Sequence, residues 1–244
     1  MYRKANLDAE VLEHEDSLPV PPGRIATAVQ RLKTGENMSL EAAIVLLHQD
    51  VALPSLRDAH ASAVGEQRIT YARFLGVCGD PAALSTLIAA IEDTDQWDAK
   101  IPLGAMAEYS QLPTRLDSLL LAIGFIRDSR ALPAILRKAE RLDASVCLSH
   151  HRAVALALDQ IDDPAAAGPL AELLRKPRMM GHAKTSLDKP SSRIEPLREI
   201  VLARALFRCS DHQGLGKRIL TEYTQDIRGH FARHATVVLG DNDR

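Results

Sequence analysis

A ten-residue phrase that occurs four times is the feature of this sequence that most constrains its fold. The copies lie at residues 75–84, 123–132, 158–167 and 206–215, and each places apolar residues before an aspartate. A pattern of apolar residues typical of an amphipathic helix precedes every copy, and another follows it. Self-similarity at such intervals indicates an array of helical hairpins, with the phrase at the turn of each hairpin.

The aspartate of the phrase is predicted to cap the second helix of each hairpin. The four aspartates are 48, 35 and 48 residues apart, which matches one hairpin plus connections of variable length; they are Asp80, Asp128, Asp163 and Asp211. Aspartate is a favoured N-cap, because its side chain accepts a hydrogen bond from an N–H group of the first turn. Two copies also carry a glycine, Gly76 and Gly124, which predicts close approach of a neighbouring helix at those points.

The cysteines are interpreted as structural residues. Cys78 and Cys209 occupy the position that Ile126 and Ile161 fill in the other copies. A position shared by cysteine and isoleucine indicates a small buried apolar site rather than a metal or redox site. Cys147 has no CxxC partner and is assigned the same role.

Composition agrees with an all-α fold and excludes a general nucleic-acid-binding surface. Hydrophobic residues make up 46% of the 244 residues and aromatic residues only 4%, with no convincing strand pattern. The formal net charge is −2, with the two signs interspersed, so we expect no nucleic-acid partner. The sequence predicts an α-solenoid of stacked antiparallel helix pairs.

The predicted organisation is a short tail followed by one repeat domain. Residues 1–23 end in a proline-rich run and are predicted to form an extended or mobile tail. Residues 24–244 are predicted to form a single domain, with a long loop at 176–196 and a closing helix at 229–239.

A cytoplasmic location is expected. The longest apolar run, residues 119–126, is far shorter than the ~20 residues that span a bilayer, so no membrane association is expected. No apolar segment follows the basic residues near the amino terminus, so a secretory signal is not expected either. With three cysteines, a disulfide framework is not expected.

The phrase, its spacing and the Ala/Leu-rich helices resemble HEAT-like repeats, including the type described in phycobilisome lyases. The resemblance covers about residues 40–240. It implies an armadillo-type helical scaffold that binds other proteins, and it leaves the partner open because such arrays serve many unrelated roles.

A narrower resemblance concerns the carboxy-terminal part. Residues 196–209 and 226–235 look like the helical segment appended to certain bacterial FAD-dependent oxidoreductases. That resemblance implies an accessory domain or subunit beside a flavin enzyme. The flavin fingerprint GxGxxG has no counterpart, since Gly214-Leu215-Gly216 lacks the third glycine. We therefore expect no cofactor on this chain.

Two regions are candidate binding sites. The carboxy-terminal helices carry the densest group of basic side chains, which could form a cationic pocket for a carboxylate, a phosphate or an acidic loop of a partner. Its members are Arg198, Arg204, Arg208, Arg228, His230, Arg233 and His234. The alternative is an ordinary solvated or internally paired face, neutralised by nearby acids such as Glu199 and Asp226.

The second candidate region is the long loop at 176–196. It is either a contact loop, with His182 and Lys184 as candidate contacts, or a disordered segment.

Catalytic and metal sites are not expected. His230 and His234 have the spacing of two metal ligands, but no glutamate stands where HExxH requires one. HEAT-like di-iron hydroxylases carry several His-Glu pairs, and here His14-Glu15 is the only one. HEAT-like DNA glycosylases need a basic face and aromatic residues, whereas this chain has the single Trp97.

The leading interpretation is a non-catalytic scaffold for a protein partner. The alternative is an accessory part of a flavin oxidoreductase, or a lyase-like binder of a small anion.

Overall fold

The computed structural model of the chain describes residues 21–34, 39–97, 113–183 and 193–241. Within these ranges the structure is all-helical, as predicted, and contains no strand. The chain divides into two compact units, Met1–Tyr71 and Ala72–Arg244, and the division falls within one helix. Most of the predicted tail lies outside the described residues, and the predicted single domain stays a prediction.

The described residues of the first unit form three helices and the beginning of a fourth. These are α1 (Pro22–Arg31), α2 (Ser39–Leu47), α3 (Gln49–Ser62) and α4 (Gly65–Val77). Helix α1 begins at Pro22, inside the predicted tail, because a proline in the first turn has no N–H that the helix would need. The face predicted for α1 is buried, with Ile25, Ala28, Val29 and Leu32 each at most 3% exposed.

In the second unit, eight more helices follow α4 among the residues that the structure describes. They are α5 (Leu84–Glu92), α6 (Arg115–Ile126), α7 (Leu132–Ala139), α8 (Leu148–Ile161), α9 (Ala167–Arg175), α10 (Ile194–Arg208), α11 (Leu215–Tyr223) and α12 (Gly229–Asp241). The closing helix α12 was predicted two residues shorter, and its predicted inward residues, Phe231, Ala235 and Val238, are buried. The predicted loop at 176–196 ends earlier, because α10 already begins at Ile194.

Helices α6, α8 and α10 run parallel to one another in a regular register. Between α6 and α8, Asp117 contacts His150 and Arg127 contacts Gln160, each pair 33 residues apart. Between α8 and α10, Asp159 contacts Arg204, and Leu158 accepts a hydrogen bond from Cys209. Because the offset is the same near both ends of α6 and α8, these two helices face each other over much of their length.

The turns carry the predicted aspartate caps in three of four copies. Asp80, Asp128 and Asp163 each accept a hydrogen bond at 2.9 Å from the N–H two residues further on. Each cap opens a short 3₁₀ turn, so the α-helix starts three residues after the predicted point. Asp211 differs, because it accepts from the N–H groups of Gly216 at 2.6 Å and Lys217 at 3.0 Å. All four aspartates thus satisfy N–H groups at a helix start.

The two glycines of the phrase are helix contact points, as predicted. A Cβ atom at Gly76 would lie 2.8 Å from the carbonyl oxygen of Ala122, and one at Gly124 would lie 2.6 Å from the Cα atom of Ala157. Such distances are below van der Waals contact, so a side chain at either position would force neighbouring helices apart.

Candidate functional site

The basic side chains predicted to form one cluster are divided among four places. Arg204 and Arg208 bind Asp159, a residue that the sequence interpretation did not include, and the charges of these three residues act on His234. Arg228 meets the backbone of His182, and Arg198 contacts the backbone near the start of α8. His230 and Arg233 are exposed on α12. Lys184 lies outside the described residues.

Asp159 is a buried carboxylate held by two arginines. Its side chain is 2% exposed. Arg204 Nη2 donates to one carboxylate oxygen at 3.0 Å, and Arg208 Nη1 donates to both oxygens at 3.2 and 3.3 Å. Burial of an unpaired carboxylate would be strongly unfavourable, so these hydrogen bonds explain why an acid is tolerated between α8 and α10.

His234 of α12 completes this group, which we call the Asp159 cluster (Asp159, Arg204, Arg208 and His234). Its pKa is lowered, first by burial and then by the positive charges of Arg204 and Arg208, while Asp159 acts in the opposite direction. The ring is therefore neutral at physiological pH. Its Nε2 atom and the Nε atom of Arg204 are buried and make no hydrogen bond.

The position of Asp159 follows from the repeated phrase. When the four copies are aligned, Asp159 stands where the first two copies carry Gly76 and Gly124. Both glycines lie directly against the next helix of the parallel row. Aspartate at the same position places a charged side chain against α10, where Arg204 and Arg208 are available on one face, four residues apart. The alignment marks Asp159 as a helix contact position, but it does not give the residues of α10 that Asp159 meets.

A second polar group, centred on Glu199, anchors the start of the long loop. Glu199 is 2% exposed and accepts hydrogen bonds from the backbone N–H groups of Gly181 and His182 and from the Tyr223 hydroxyl, each at 2.8 Å. Arg228 donates to the His182 carbonyl at 2.7 Å and also to Asp226. Residues 179–183 are thus fixed to α10 and α11, and the described part of the loop is packed.

A third polar group lies where α6 and α8 begin. His150 Nδ1 donates to Asp117 at 2.6 Å, and both side chains are at most 3% exposed. Trp97 stacks on the His150 ring, with centroids 4.4 Å apart. Burial acts to raise the pKa of Asp117, but hydrogen bonds from His150 and Thr114 outweigh it and leave the pKa below its usual value. Trp97 and His150 are 53 residues apart and form no recognisable sequence motif, so the sequence interpretation missed this contact.

His151 and Arg198 lie beside that group and bind consecutive carbonyls. His151 Nδ1 donates to the Cys147 carbonyl at 3.0 Å, and Arg198 Nη2 donates to that of Val146 at 3.4 Å. Burial and the charge of Arg198 lower the pKa of His151 to about 4. Across the described ranges, five buried side-chain atoms lack a hydrogen-bond partner: Trp97 Nε1, His151 Nε2, Arg198 Nε, Arg204 Nε and His234 Nε2.

The cysteines occupy three different environments. Cys209 is buried, donates to the Leu158 carbonyl at 3.5 Å, and has its pKa raised by burial to about 12, which agrees with an inert structural thiol. Cys78 is half-buried, and burial raises its pKa as well. Cys147 is exposed, so the prediction that it fills a buried apolar site is wrong: it precedes α8 in a turn rather than lying on an inward helix face.

The described residues offer no metal site and no membrane-spanning helix, and the chain has no match among known proteins. Among the residues that the structure describes, no group of three or more His, Cys, Asp or Glu side chains is placed to hold a metal ion. In the same ranges, every helix is too short or too polar to cross a lipid bilayer. The chain matches no family model, no curated protein and no solved structure.

Proposed function

We propose that the chain is a non-catalytic, HEAT-like α-solenoid that binds a protein partner. The observation that supports this most is the parallel row of α6, α8 and α10. Equivalent residues of neighbouring helices meet at a nearly constant offset, as in Asp117–His150 and Arg127–Gln160. Stacking of this kind buries one core between successive units and leaves an extended surface for a partner.

The turns support the same interpretation. Asp80, Asp128 and Asp163 cap their 3₁₀ turns with the same bond length, so three hairpins are built alike. Gly76 and Gly124 mark equivalent helix contacts. A chain that repeats one structural unit in this manner is expected to present a continuous surface rather than a single enclosed catalytic pocket.

The Asp159 cluster is the proposed docking point. It joins side chains of α8, α10 and α12, and Arg208 is its most exposed member, at 37%. Arginine is favoured at protein interfaces because its planar guanidinium binds carboxylates with two hydrogen bonds. The partner should therefore approach the side of the chain on which Arg208 is exposed.

The test is capture of partners by the immobilised chain, followed by affinity measurement with each purified partner. Three proteins are compared: the wild type, Arg208→Gln, and the control Arg218→Gln, which removes the same charge from an exposed position on α11. We expect Arg208→Gln to weaken the affinity for a genuine partner at least tenfold and Arg218→Gln to leave that affinity unchanged. Equal affinity of all three proteins would contradict the proposed docking point.

The identity of the captured partner decides between a general scaffold and the accessory role implied by the carboxy-terminal resemblance. A flavin-dependent oxidoreductase whose binding depends on Arg208 would support the accessory role. Any other partner with the same dependence would support the general scaffold. Failure of the pure chain to bind any partner at micromolar concentration would count against both.

A further inference from the structure

We propose that the chain associates with further copies of itself through two different apolar faces of opposite charge. The first, called the α2 face, lies on α2 and the start of α3 and consists of Leu40, Leu46, Leu47, Asp50 and Val51. The second, called the α12 face, consists of Ile227, His230, Arg233 and Val237. This inference goes beyond the proposed function, because the occupant of each face is a second copy of the chain.

Both faces expose large hydrophobic side chains to water. On the α2 face, Leu47 is 79% exposed, Leu40 62% and Val51 55%; on the α12 face, Ile227 is 66% and Val237 60% exposed. Nine large hydrophobic side chains are exposed in the described ranges, and six of them lie on these two faces. Single exposed apolar residues are ordinary, whereas a concentration of them marks an interaction surface.

The helical spacing brings the members of each face together. Leu40 and Leu47 are seven residues apart in α2, so they lie on the same side of that helix, and Val51 follows in the first turn of α3. Arg233 and Val237 are four residues apart on α12 and are neighbours on its surface. Each face therefore presents apolar side chains next to a charged one.

The two faces carry opposite charges. Residues 40–51 contain two acids and no lysine or arginine. Glu41 is bound by Arg31 at 3.5 Å, whereas Asp50 is exposed and has no ion pair among the described residues. The described side chains of α12 include no acid, and the exposed Arg233 donates to the Gly229 carbonyl of its own helix at 3.3 Å. The α2 face is thus acidic and the α12 face basic.

Opposite charges favour a contact between unlike faces. Two α2 faces would bring like charges together, and so would two α12 faces, whereas the α2 face of one copy attracts the α12 face of the next. Val51 stands next to Asp50, and Val237 lies one helical turn from Arg233, so one apolar contact brings the carboxylate and the guanidinium of different copies within reach. Each copy in a pair keeps one unoccupied face, so association continues beyond the dimer.

The two faces can be blocked one at a time. Leu47→Lys and Val237→Lys each replace an exposed apolar side chain by a charge, and the shared sign prevents a new ion pair between the two altered faces. In sedimentation equilibrium, the average mass of the wild type should rise with concentration beyond that of two chains. Each variant alone should keep the mass of one chain. Their equimolar mixture should reach the mass of two chains and no more, because each variant retains the face that the other lacks.

Val64→Lys is the matched control, since Val64 is as exposed as Leu47, at 79%, and lies outside both faces. It should associate like the wild type. Association that is lost in Leu47→Lys but kept in Val237→Lys would show a symmetric contact and overturn the proposal. A wild-type chain that keeps the mass of one chain up to about 0.5 mM, where even weak complexes form, would overturn it as well. Loss of a captured partner from Leu47→Lys would then assign the α2 face to that partner.

The charges are tested separately. Asp50→Lys and Arg233→Glu should each weaken association at least threefold, and the two changes combined in one chain should restore it to within twofold of the wild type. A combined variant that is weaker than either single variant would overturn the pairing of the two faces. None of these outcomes affects binding of a different partner through Arg208, so failure of self-association and failure of the proposed function remain distinguishable.

Discussion

Arg204 Nη2 lies 3.0 Å from Asp159 Oδ2, so a guanidinium of α10 neutralises a carboxylate that α8 buries against it. Arg208 binds the same carboxylate from one turn further along α10. The two arginines differ mainly in exposure, 17% against 37%. Because Arg204 is the more buried of the two, we expect it to contribute more to stability. The more exposed Arg208 is the residue proposed to contact a partner.

The Arg204→Gln variant should be destabilised more than Arg208→Gln. Loss of Arg204 leaves the buried Asp159 with a single, more exposed partner, and we expect the free energy of unfolding to fall by about 2 kcal/mol. Loss of Arg208 should cost less than about 1 kcal/mol, since water already screens that pair. Urea unfolding followed by circular dichroism measures both values. Equal losses in the two variants would show that the exposure difference has no energetic consequence.

The Gly124→Ala variant tests whether the parallel helices depend on the close contact of the phrase. The new methyl group would lie 2.6 Å from the Ala157 Cα atom, so α6 and α8 must separate, and we expect a loss of about 1–3 kcal/mol. Gly240→Ala is the control, because Gly240 lies within α12 and nothing lies within 4 Å of a Cβ there. Alanine is the better helix former, so the control should be neutral or stabilised by up to about 1 kcal/mol. An unchanged melting temperature of the Gly124→Ala protein would contradict the close contact between α6 and α8.

Three features could be predicted because their causes are local or are repeated in the sequence. They are the all-helical fold, the caps at Asp80, Asp128 and Asp163, and the helix contacts at Gly76 and Gly124. A cap depends on residues two positions apart, as in the bond from Arg130 N–H to Asp128. The glycine contacts recur in two copies of one phrase, so their alignment shows them without any tertiary information.

The composition of the candidate site could not be predicted, because it depends on the register between helices. Asp159 and Arg204 are 45 residues apart, while the copies of the phrase are spaced unevenly, so the sequence did not establish which residues of α8 and α10 would meet. The predicted cluster also assumed that Arg198 and Arg208 lie together. Ten residues of helix separate them by about 15 Å, and each serves a different neighbour.

The Glu199→Ala variant should release the start of the long loop. Glu199 accepts hydrogen bonds from the N–H groups of Gly181 and His182, so loss of these bonds should raise the population of locally open states. We expect trypsin to cleave after the exposed Arg178 at least tenfold faster, as followed by mass spectrometry. Glu172→Ala, an exposed acid on α9, is the control. An unchanged cleavage rate would mean that the packing of Met179 and Ala183 suffices to hold the segment.

His151 should make the protein less stable in acid. Its pKa is about 4 in the folded chain, because burial and Arg198 disfavour the charged ring, and about 6.5 when unfolded. The unfolded chain therefore binds the proton first, and stability falls as the pH drops from above 6.5 toward 4. Between pH 7.5 and 4.5 this one group should remove about 2–3 kcal/mol.

The His151→Gln variant isolates that contribution, since glutamine keeps a donor for the Cys147 carbonyl but does not titrate. Guanidinium unfolding at pH 7.5 and 4.5 gives the stability change of each protein across this interval. The change should be about 2–3 kcal/mol smaller in the variant, because every other ionisable group is common to both proteins. A parallel loss in the two proteins would mean that His151 already binds its proton in the folded chain at pH 4.5.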